Sequence, residues 1–122
     1  MALTKEYASH LEDLFSVLPG SFVRRMFGGA GIFRDGLMYA LSLDDGRIAL
    51  KADEINQPDF RAENMEEWAY PYKGGQKSMG YWYMPERLLD EPEELAQWAR
   101  AAFEAAMRAD AKKPPSQRKF RT

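Results

Sequence analysis

Cysteine is absent from this sequence, and its absence excludes several kinds of functional site. Disulfide bonds, thiolate nucleophiles and zinc sites with sulfur ligands all require cysteine. Histidine is almost as scarce, because His10 is the only one in the chain. A Ser-His-Asp triad would have to use His10, and no Gly-x-Ser-x-Gly sequence is present to position a serine. We therefore expect no catalytic residues, no metal ligands and no cofactor, and the sequence predicts a protein that is not an enzyme.

Long hydrophobic runs are also missing. No apolar stretch approaches the roughly 18–20 residues that a helix needs to cross a bilayer. The first 15 residues include Lys5, Glu6, Glu12 and Asp13, so they lack the uncharged segment of a secretory signal. We therefore expect a cytoplasmic protein without a membrane partner. At 122 residues, of which 45% are hydrophobic and 30% charged, the chain has the length and composition of one globular domain.

The charge is unevenly distributed along the chain. The net charge is −2, but residues 112–122 contain five basic and no acidic side chains, which leaves residues 1–110 at −7. The same C-terminal segment contains two prolines and one aromatic residue, Phe120, which is too little apolar surface to offset the entropy of ordering. The sequence predicts a folded domain over 1–110 and a disordered basic tail over 111–122. The alternative is that Phe120 docks into a groove and brings the basic residues onto the acidic domain.

The first half of the chain has the pattern of a helix followed by an antiparallel meander. Apolar residues recur at helical spacing from Tyr7 to Leu18, Thr4 is a suitable N-cap, and Pro19-Gly20 ends the helix. Residues with strand propensity then alternate with turn residues such as Asp35-Gly36, which favours a type I′ hairpin. The predicted strands are 22–27, 32–34, 37–43 and 47–51.

The second half of the chain has the pattern of a helix, a hairpin and a helix. Residues 56–64 are predicted to form a short helix with Asn56 as its cap. The predicted strands 68–72 and 78–84 flank a loop over 73–77. The last helix spans 91–109, with Asp90 and Glu93 at capping-box spacing. Its inward face is predicted to carry Leu95, Trp98, Ala102 and Met107. The whole order predicts an α+β fold with a single antiparallel sheet of five to six strands and helices packed on it.

A glycine-rich segment, Gly28-Gly29-Ala30-Gly31, lies between two predicted strands. It does not fit a phosphate-binding P-loop, because no Lys-Ser/Thr pair follows and no helix begins there. We interpret the glycines as structural, at a turn or bulge that needs positive φ or a close approach of the backbone.

Aromatic and basic residues are concentrated in the second hairpin, and two more basic residues lie on the first strand. On a sheet, interleaved aromatic and cationic side chains are used by proteins that bind single-stranded nucleic acid, but aromatic residues on alternate positions also form cores. Both interpretations stay open on the sequence alone. The candidate binding surface consists of Arg24, Arg25, Tyr70, Tyr72, Lys73, Lys77, Tyr81 and Tyr83.

Four segments together resemble the N-terminal domain of the TfoX/Sxy family, over about residues 5–108. They are RMFGGAGIF at 25–33, DGLMYA at 35–40, ALKAD at 49–53 and SMGYWYMP at 78–85. The resemblance implies an α+β fold of the kind predicted above and a bacterial protein related to regulators of competence for DNA uptake, that is, of transformation. Larger members of the family also have a C-terminal helical domain, which we expect this chain to lack. The resemblance supplies no catalytic residues.

Three functional hypotheses follow, each from a different class. The first is a non-enzymatic regulatory domain that binds a protein partner, and a homodimer is one form that this interaction could take. The second is a nucleic-acid-binding domain that uses the aromatic hairpin and the basic tail. The third is a small-molecule or enzymatic site beside Gly28–Gly31.

Overall fold

The structure is a computed structural model that describes residues 4–26 and 29–120. Within these residues, two short 3-10 helices occur at Glu86–Asp90 and Pro115–Gln117. The helices and strands are α1 (Lys5–Phe15), β1 (Phe22–Met26), β2 (Gly29–Arg34), β3 (Leu37–Ser42), β4 (Ile48–Lys51), α2 (Gln57–Ala62), β5 (Glu67–Tyr72), β6 (Gly75–Tyr83) and α3 (Pro92–Ala111).

The six strands form one antiparallel sheet in the order β1-β2-β3-β4-β6-β5. The predicted α+β architecture is therefore confirmed, with the number of strands at the upper end of the predicted range. The strands β1 and β5 are the two edges of the sheet. Residues that are distant in sequence but lie on these two strands are therefore held at opposite sides of the molecule.

Helix α1 begins where the sequence predicts, because the Thr4 hydroxyl accepts a hydrogen bond from the backbone N–H of Tyr7. The helix ends at Phe15, before the predicted stop at Pro19-Gly20, and Gly20 has a φ of 89° in the turn that follows. The buried residues Leu11, Phe15 and Leu18 recur at helical spacing and join the core. The predicted type I′ hairpin is also confirmed, because Asp35 and Gly36 have φ values of 50° and 85°.

The two faces of the sheet are defined by two neighbouring rows of paired residues. One row runs from Ile32 through Ala40 and Leu50 to Trp82, and all four side chains belong to the core that the helices cover. Successive side chains of a strand point to opposite faces. The next row therefore lies on the other face, which we call the open face. It consists of Arg24, Gly31, Leu41, Ala49 and Tyr83.

The glycine-rich segment is a strand rather than a turn. Gly29 and Gly31 are both in β2, neither has a positive φ, and Gly28 lies outside the described residues. The prediction of positive φ is therefore wrong at these two positions, but the predicted close approach is confirmed. A Cβ atom at Gly29 would lie 2.2 Å from the backbone oxygen of Ser42, and one at Gly31 would lie 2.7 Å from the sulfur of Met38.

The start of α3 differs from the prediction. Asp90 is the last residue of a 3-10 helix, so Glu91 takes the N-cap position and no side chain caps the helix. The capping box of Asp90 and Glu93 is therefore not formed. Pro92 is the first residue of α3, where its missing N–H has no cost.

The inward face of α3 is only partly as predicted. Leu95 and Ala102 are fully buried, and Trp98 is half-buried with its ring 4.9 Å from that of Phe60 on α2. Met107 is 36% exposed, so its assignment to this face is wrong. Its place in the core is taken by Ala106, the preceding residue, and by Phe103, one turn earlier, both of which are buried.

Asn56 caps the turn before α2 instead of the helix itself. It stands at the N-cap position, but its side chain makes no capping bond to α2. The side-chain oxygen accepts the backbone N–H of Asp53 and the side-chain amide donates to the carbonyl of Lys51. The buried amide therefore fixes the path of the chain as it leaves β4.

The C-terminal segment folds back against the domain. We expected a disordered tail over 111–122, but Ala111 is the last residue of α3 and Phe120 packs against Phe103 with ring centroids 6.3 Å apart. Arg121 and Thr122 lie outside the described residues. We call residues 112–120 the C-terminal strap. Its position corresponds to the alternative arrangement, in which Phe120 brings basic residues onto the acidic domain.

Candidate functional site

Three aromatic side chains of β5 form a row that we call the aromatic ladder: Trp68, Tyr70 and Tyr72. Their ring centroids are 5.5 Å and 6.4 Å apart along the strand. Because Glu67 pairs with the core residue Trp82, the next residue, Trp68, faces the opposite way and lies on the open face. The ladder is thus an extension of the open face onto the β5–β6 hairpin.

Two lysines cover the outer end of the ladder. The ammonium nitrogens of Lys73 and Lys77 lie 5.3 Å and 4.8 Å from the ring centroid of Tyr72, within the range of a cation–π interaction. Tyr72 is nevertheless 45% exposed. The hairpin therefore presents an aromatic surface with positive charge at its tip.

A tight turn holds these lysines in place. We expected a five-residue loop over 73–77, but Tyr72 pairs with Gly75 and only Lys73 and Gly74 are left in the turn. Their φ values are 48° and 81°, as a type I′ turn requires. Residues 71–78 are all exposed, so the tip of the hairpin stands clear of the rest of the domain.

Tyr83 lies at the inner end of this surface and is half-buried. The guanidinium of Arg47 lies 4.1 Å from its ring centroid and is fixed by an ion pair with Asp45, at 2.8 Å. Hydrogen bonds from the backbone and side chain of Arg47 hold the pKa of the Asp45 carboxyl below its usual value. Sequence reasoning missed Arg47, because nothing in its turn-and-strand context indicates that it reaches a tyrosine on β6.

A groove of about 300 Å³ separates the ladder from the middle of the sheet. Its walls include Met26, Leu41, Trp68 and Tyr83, and Gly29 lies at its edge. The third hypothesis placed a small-molecule site in this region. Within residues 4–26 and 29–120, no group of three or more histidine, cysteine, aspartate or glutamate side chains is arranged to hold a metal ion.

The two arginines of the candidate surface do not join the hairpin. They lie on β1, and the ladder lies on β5, at the opposite edge of the sheet. Arg24 shares the open face and lies 5.5 Å from the ring centroid of Phe33. Even Tyr83 is four strands away from it, or about 19 Å. Arg25 pairs with the core residue Ala30, so it is on the helical side.

Tyr81 is a structural residue rather than part of a surface. It is only 3% exposed, and its hydroxyl donates a hydrogen bond to the carbonyl of Met38 at 3.1 Å. Burial raises its pKa well above the usual value for a tyrosine. The structure therefore reduces the eight predicted surface residues to five on the hairpin side of the sheet, namely Tyr70, Tyr72, Lys73, Lys77 and Tyr83.

The charge on the helical side has the opposite sign to that of the hairpin tip. The exposed residues of α1 and α3 include Glu6, Glu12, Asp13, Glu93 and Glu104. The basic hairpin tip therefore projects from a domain whose body is acidic. Such a distribution orients an approaching acidic molecule toward the hairpin.

The comparisons with known proteins agree with the architecture. The family model described as the TfoX N-terminal domain matches residues 13–106, a span that contains the whole sheet. No curated protein matches the chain. In the described part of the chain, every helix is too short or too polar to span a membrane.

Proposed function

We propose that this chain, which belongs to the TfoX N-terminal domain family, is a non-enzymatic regulatory domain that binds an acidic segment of another protein through its β5–β6 hairpin. The observation that carries the proposal is the aromatic ladder, which ends in Tyr72 and two lysines on a fully exposed tip. A projecting hairpin of this kind is stabilised by its own turn and ladder. It therefore presents a preformed surface to a partner.

The composition of the ladder supports a protein partner. Tyrosine and tryptophan are enriched at the centres of protein interfaces, because they contribute a large contact area and lose little conformational entropy on binding. Trp68 and Tyr70 are half-buried and held in place by each other, whereas Tyr72 is open to solvent. The ladder can thus supply a rigid base and one accessible aromatic ring.

The charge of the hairpin supports an acidic partner. Lys73 and Lys77 are the cations at the tip, and the body of the domain is acidic. A carboxylate-rich segment would be repelled by the exposed glutamates of α1 and α3, and attracted by the hairpin. The partner is therefore oriented as well as attracted.

The regulatory role is proposed from the family. TfoX-like regulators are associated with competence for DNA uptake, and a binding domain without catalytic residues is suited to control another protein. In a bacterial host that lacks this chain, we expect the intact protein to restore the frequency of transformation. The variant that carries both Lys73→Glu and Lys77→Glu is expected not to restore it. If both proteins restored the frequency of transformation, the regulatory role would not depend on the two lysines of the hairpin.

Binding of single-stranded nucleic acid is the second candidate, and the ladder is the observation that favours it. Base stacking needs free ring faces, however, and the rings of the ladder contact one another while two lysines lie against Tyr72. The protein hypothesis therefore has the stronger support.

A titration with a single-stranded oligonucleotide at several salt concentrations distinguishes the two candidates. Contacts to phosphates release counterions, so the affinity for nucleic acid would fall steeply as salt increases. We expect only weak binding at low salt, with the same affinity in the Tyr72→Ala variant. Tight binding with a steep salt dependence, lost in the Tyr72→Ala variant, would replace the protein hypothesis with the nucleic-acid one.

A further inference from the structure

A second cleft, of about 400 Å³, lies between the C-terminal end of α3, the C-terminal strap and the open face near β1. It is separate from the aromatic ladder, which lies toward the other edge of the sheet. Four basic residues line it: Arg24, Lys51, Lys113 and Lys119. They come from β1, β4 and the C-terminal strap, so only the fold brings them together.

Among the residues that the structure describes, one carboxylate lines this cleft, and it is already engaged. Asp110 is only 3% exposed, and its two oxygens accept the backbone N–H groups of Lys119 and Phe120, at 2.9 Å and 3.1 Å. Lys113 lies 3.9 Å from the same carboxylate. The nearby Asp53 makes two hydrogen bonds to the guanidinium of Arg108, at 2.6 Å and 2.9 Å. Asp110 therefore compensates part of the charge of Lys113, Asp53 is paired with Arg108, and the four cations of the cleft outnumber these two carboxylates.

Lys51 is the most constrained of the four cations. Its ammonium group donates to the carbonyl of Met79 at 2.8 Å and lies 5.0 Å from the ring centroid of Tyr81. Burial, and then the charge of Lys113, lower the pKa of Lys51. An ammonium group carries three donors, so one bond to a carbonyl leaves two for a ligand. An anion between Lys51 and Lys113 would relieve their mutual repulsion.

The walls of the cleft are apolar. Phe33, Met38 and Met79 line it, and Met79 is 46% exposed. Ligand sites typically combine an apolar lining with a few polar groups that fix orientation, in cavities of about 300–1,000 Å³. This cleft therefore fits a molecule that has both an anionic group and a small hydrophobic body.

We propose that this cleft binds a small organic phosphate, with the phosphate between Lys51, Lys113 and Lys119 and the organic group against Phe33 and Met38. The strap is part of the site, because Phe120 and Asp110 hold Lys113 and Lys119 at its edge. Binding would therefore tie the strap to the domain. The proposal is independent of the function proposed for the hairpin.

Calorimetric titration of the full chain with phenyl phosphate tests the proposal. We expect binding with a Kd on the order of 1 mM or tighter. The Lys113→Gln and Lys119→Gln variants are expected to bind about three- to tenfold more weakly, because each removes one charged contact. The matched control is Lys112→Gln, which removes an adjacent, exposed cation that does not line the cleft. It should bind as the unmodified protein does.

Two further probes define the ligand class. Inorganic phosphate should bind more weakly than phenyl phosphate, because it lacks the apolar group, and benzyl alcohol should not bind. Equal affinities for phenyl phosphate and inorganic phosphate would overturn the organic-phosphate assignment. Two results would overturn the site itself. One is that phenyl phosphate does not bind at about 10 mM. The other is that Lys112→Gln and Lys113→Gln weaken the binding of phenyl phosphate equally. A melting temperature measured for each variant shows that the fold is retained.

Discussion

Phe120 donates its backbone N–H to the carboxylate of Asp110, at a distance of 3.1 Å, across the turn that leaves α3. The Asp110 carboxylate is almost completely buried beneath this contact, and the Phe120 ring packs on Phe103. The strap is thus held by hydrogen bonds to the Asp110 carboxylate and by the packing of the Phe120 ring. This relationship determines whether the basic residues at the end of the chain belong to the domain or to a free arm.

The Phe120→Ser variant tests the apolar contact. Phe120 is half-buried, so we expect its loss to lower the free energy of unfolding by about 1–2 kcal/mol, measured by urea denaturation. The Lys112→Gln variant, in the same segment but exposed, should change it by less than about 0.5 kcal/mol. Backbone order parameters provide a second test. Values below about 0.6 throughout 112–120 would show that the strap is a free arm, as the sequence predicts, and would contradict the docked arrangement.

The pH dependence of stability should reflect two paired carboxylates. Hydrogen bonds from Arg108 lower the pKa of Asp53, and hydrogen bonds from the backbone of Lys119 and Phe120 lower that of Asp110. A carboxyl with a depressed pKa in the folded state stabilises the fold above its unfolded pKa, near 4. This stabilisation is lost as the pH falls from there through the folded pKa.

Urea denaturation between pH 7 and pH 2.5 checks this dependence. We expect the free energy of unfolding to fall below about pH 4, and to fall less steeply in the Asp53→Asn variant. At pH 7 this variant should be about 1 kcal/mol less stable, because the partly exposed ion pair with Arg108 is lost. An identical acid slope in both proteins would show that Asp53 is not paired in solution.

The two described glycines of β2 should differ in their tolerance of alanine. A Cβ at Gly29 meets the backbone oxygen of Ser42, which can move only with β3, whereas one at Gly31 meets flexible methionine side chains and the Phe33 ring. We expect Gly29→Ala to cost about 2–3 kcal/mol and Gly31→Ala about 1 kcal/mol. Gly75→Ala is the control, because the nearest atom is 3.9 Å away. Thermal denaturation that ranks Gly31→Ala as the more harmful change would contradict the geometry.

Alanine variants of Trp98 and Met107 should differ in stability, because Trp98 lies on the buried face of α3 and Met107 on its exposed face. The Trp98 ring meets Phe60 edge-on, and Phe60 in turn lies 5.9 Å from Trp82. We expect Trp98→Ala to cost about 3 kcal/mol, somewhat less than for a fully buried tryptophan. Met107→Ala should cost less than about 0.5 kcal/mol. Comparable losses for both variants, in urea denaturation, would show that Met107 is covered in solution.

Local sequence signals predicted much of this fold, because they act over a few residues. The Thr4 cap and the Asp35-Gly36 turn each satisfy a local geometric requirement, and both lie where the structure has them. The order of helices and strands follows from the spacing of apolar residues. These features together were sufficient to predict the fold class.

The errors arise where distant parts of the chain decide the outcome. Asp90 has the spacing of a helix cap, but the preceding residues form a 3-10 helix that includes it. The aromatic-rich sequence of the hairpin predicts that Tyr81 is a surface residue. In the structure, its hydroxyl donates a hydrogen bond to the carbonyl of Met38, on another strand. Arg24 is distant from the ladder because the strand order places β1 and β5 at opposite edges. Strand order is not encoded in local patterns.

The central claim is that the hairpin binds a protein, and quantitative capture from the host lysate tests it most directly. The intact protein is compared with the Lys73→Glu, Lys77→Glu double variant and with a matched control, the Lys5→Glu, Arg100→Glu double variant. Both double variants change the net charge equally, and the control positions are exposed on α1 and α3. We predict at least one host protein that the intact chain and the control retain equally, and that the hairpin variant retains about tenfold less. The same proteins in the same amounts on all three would contradict the claim.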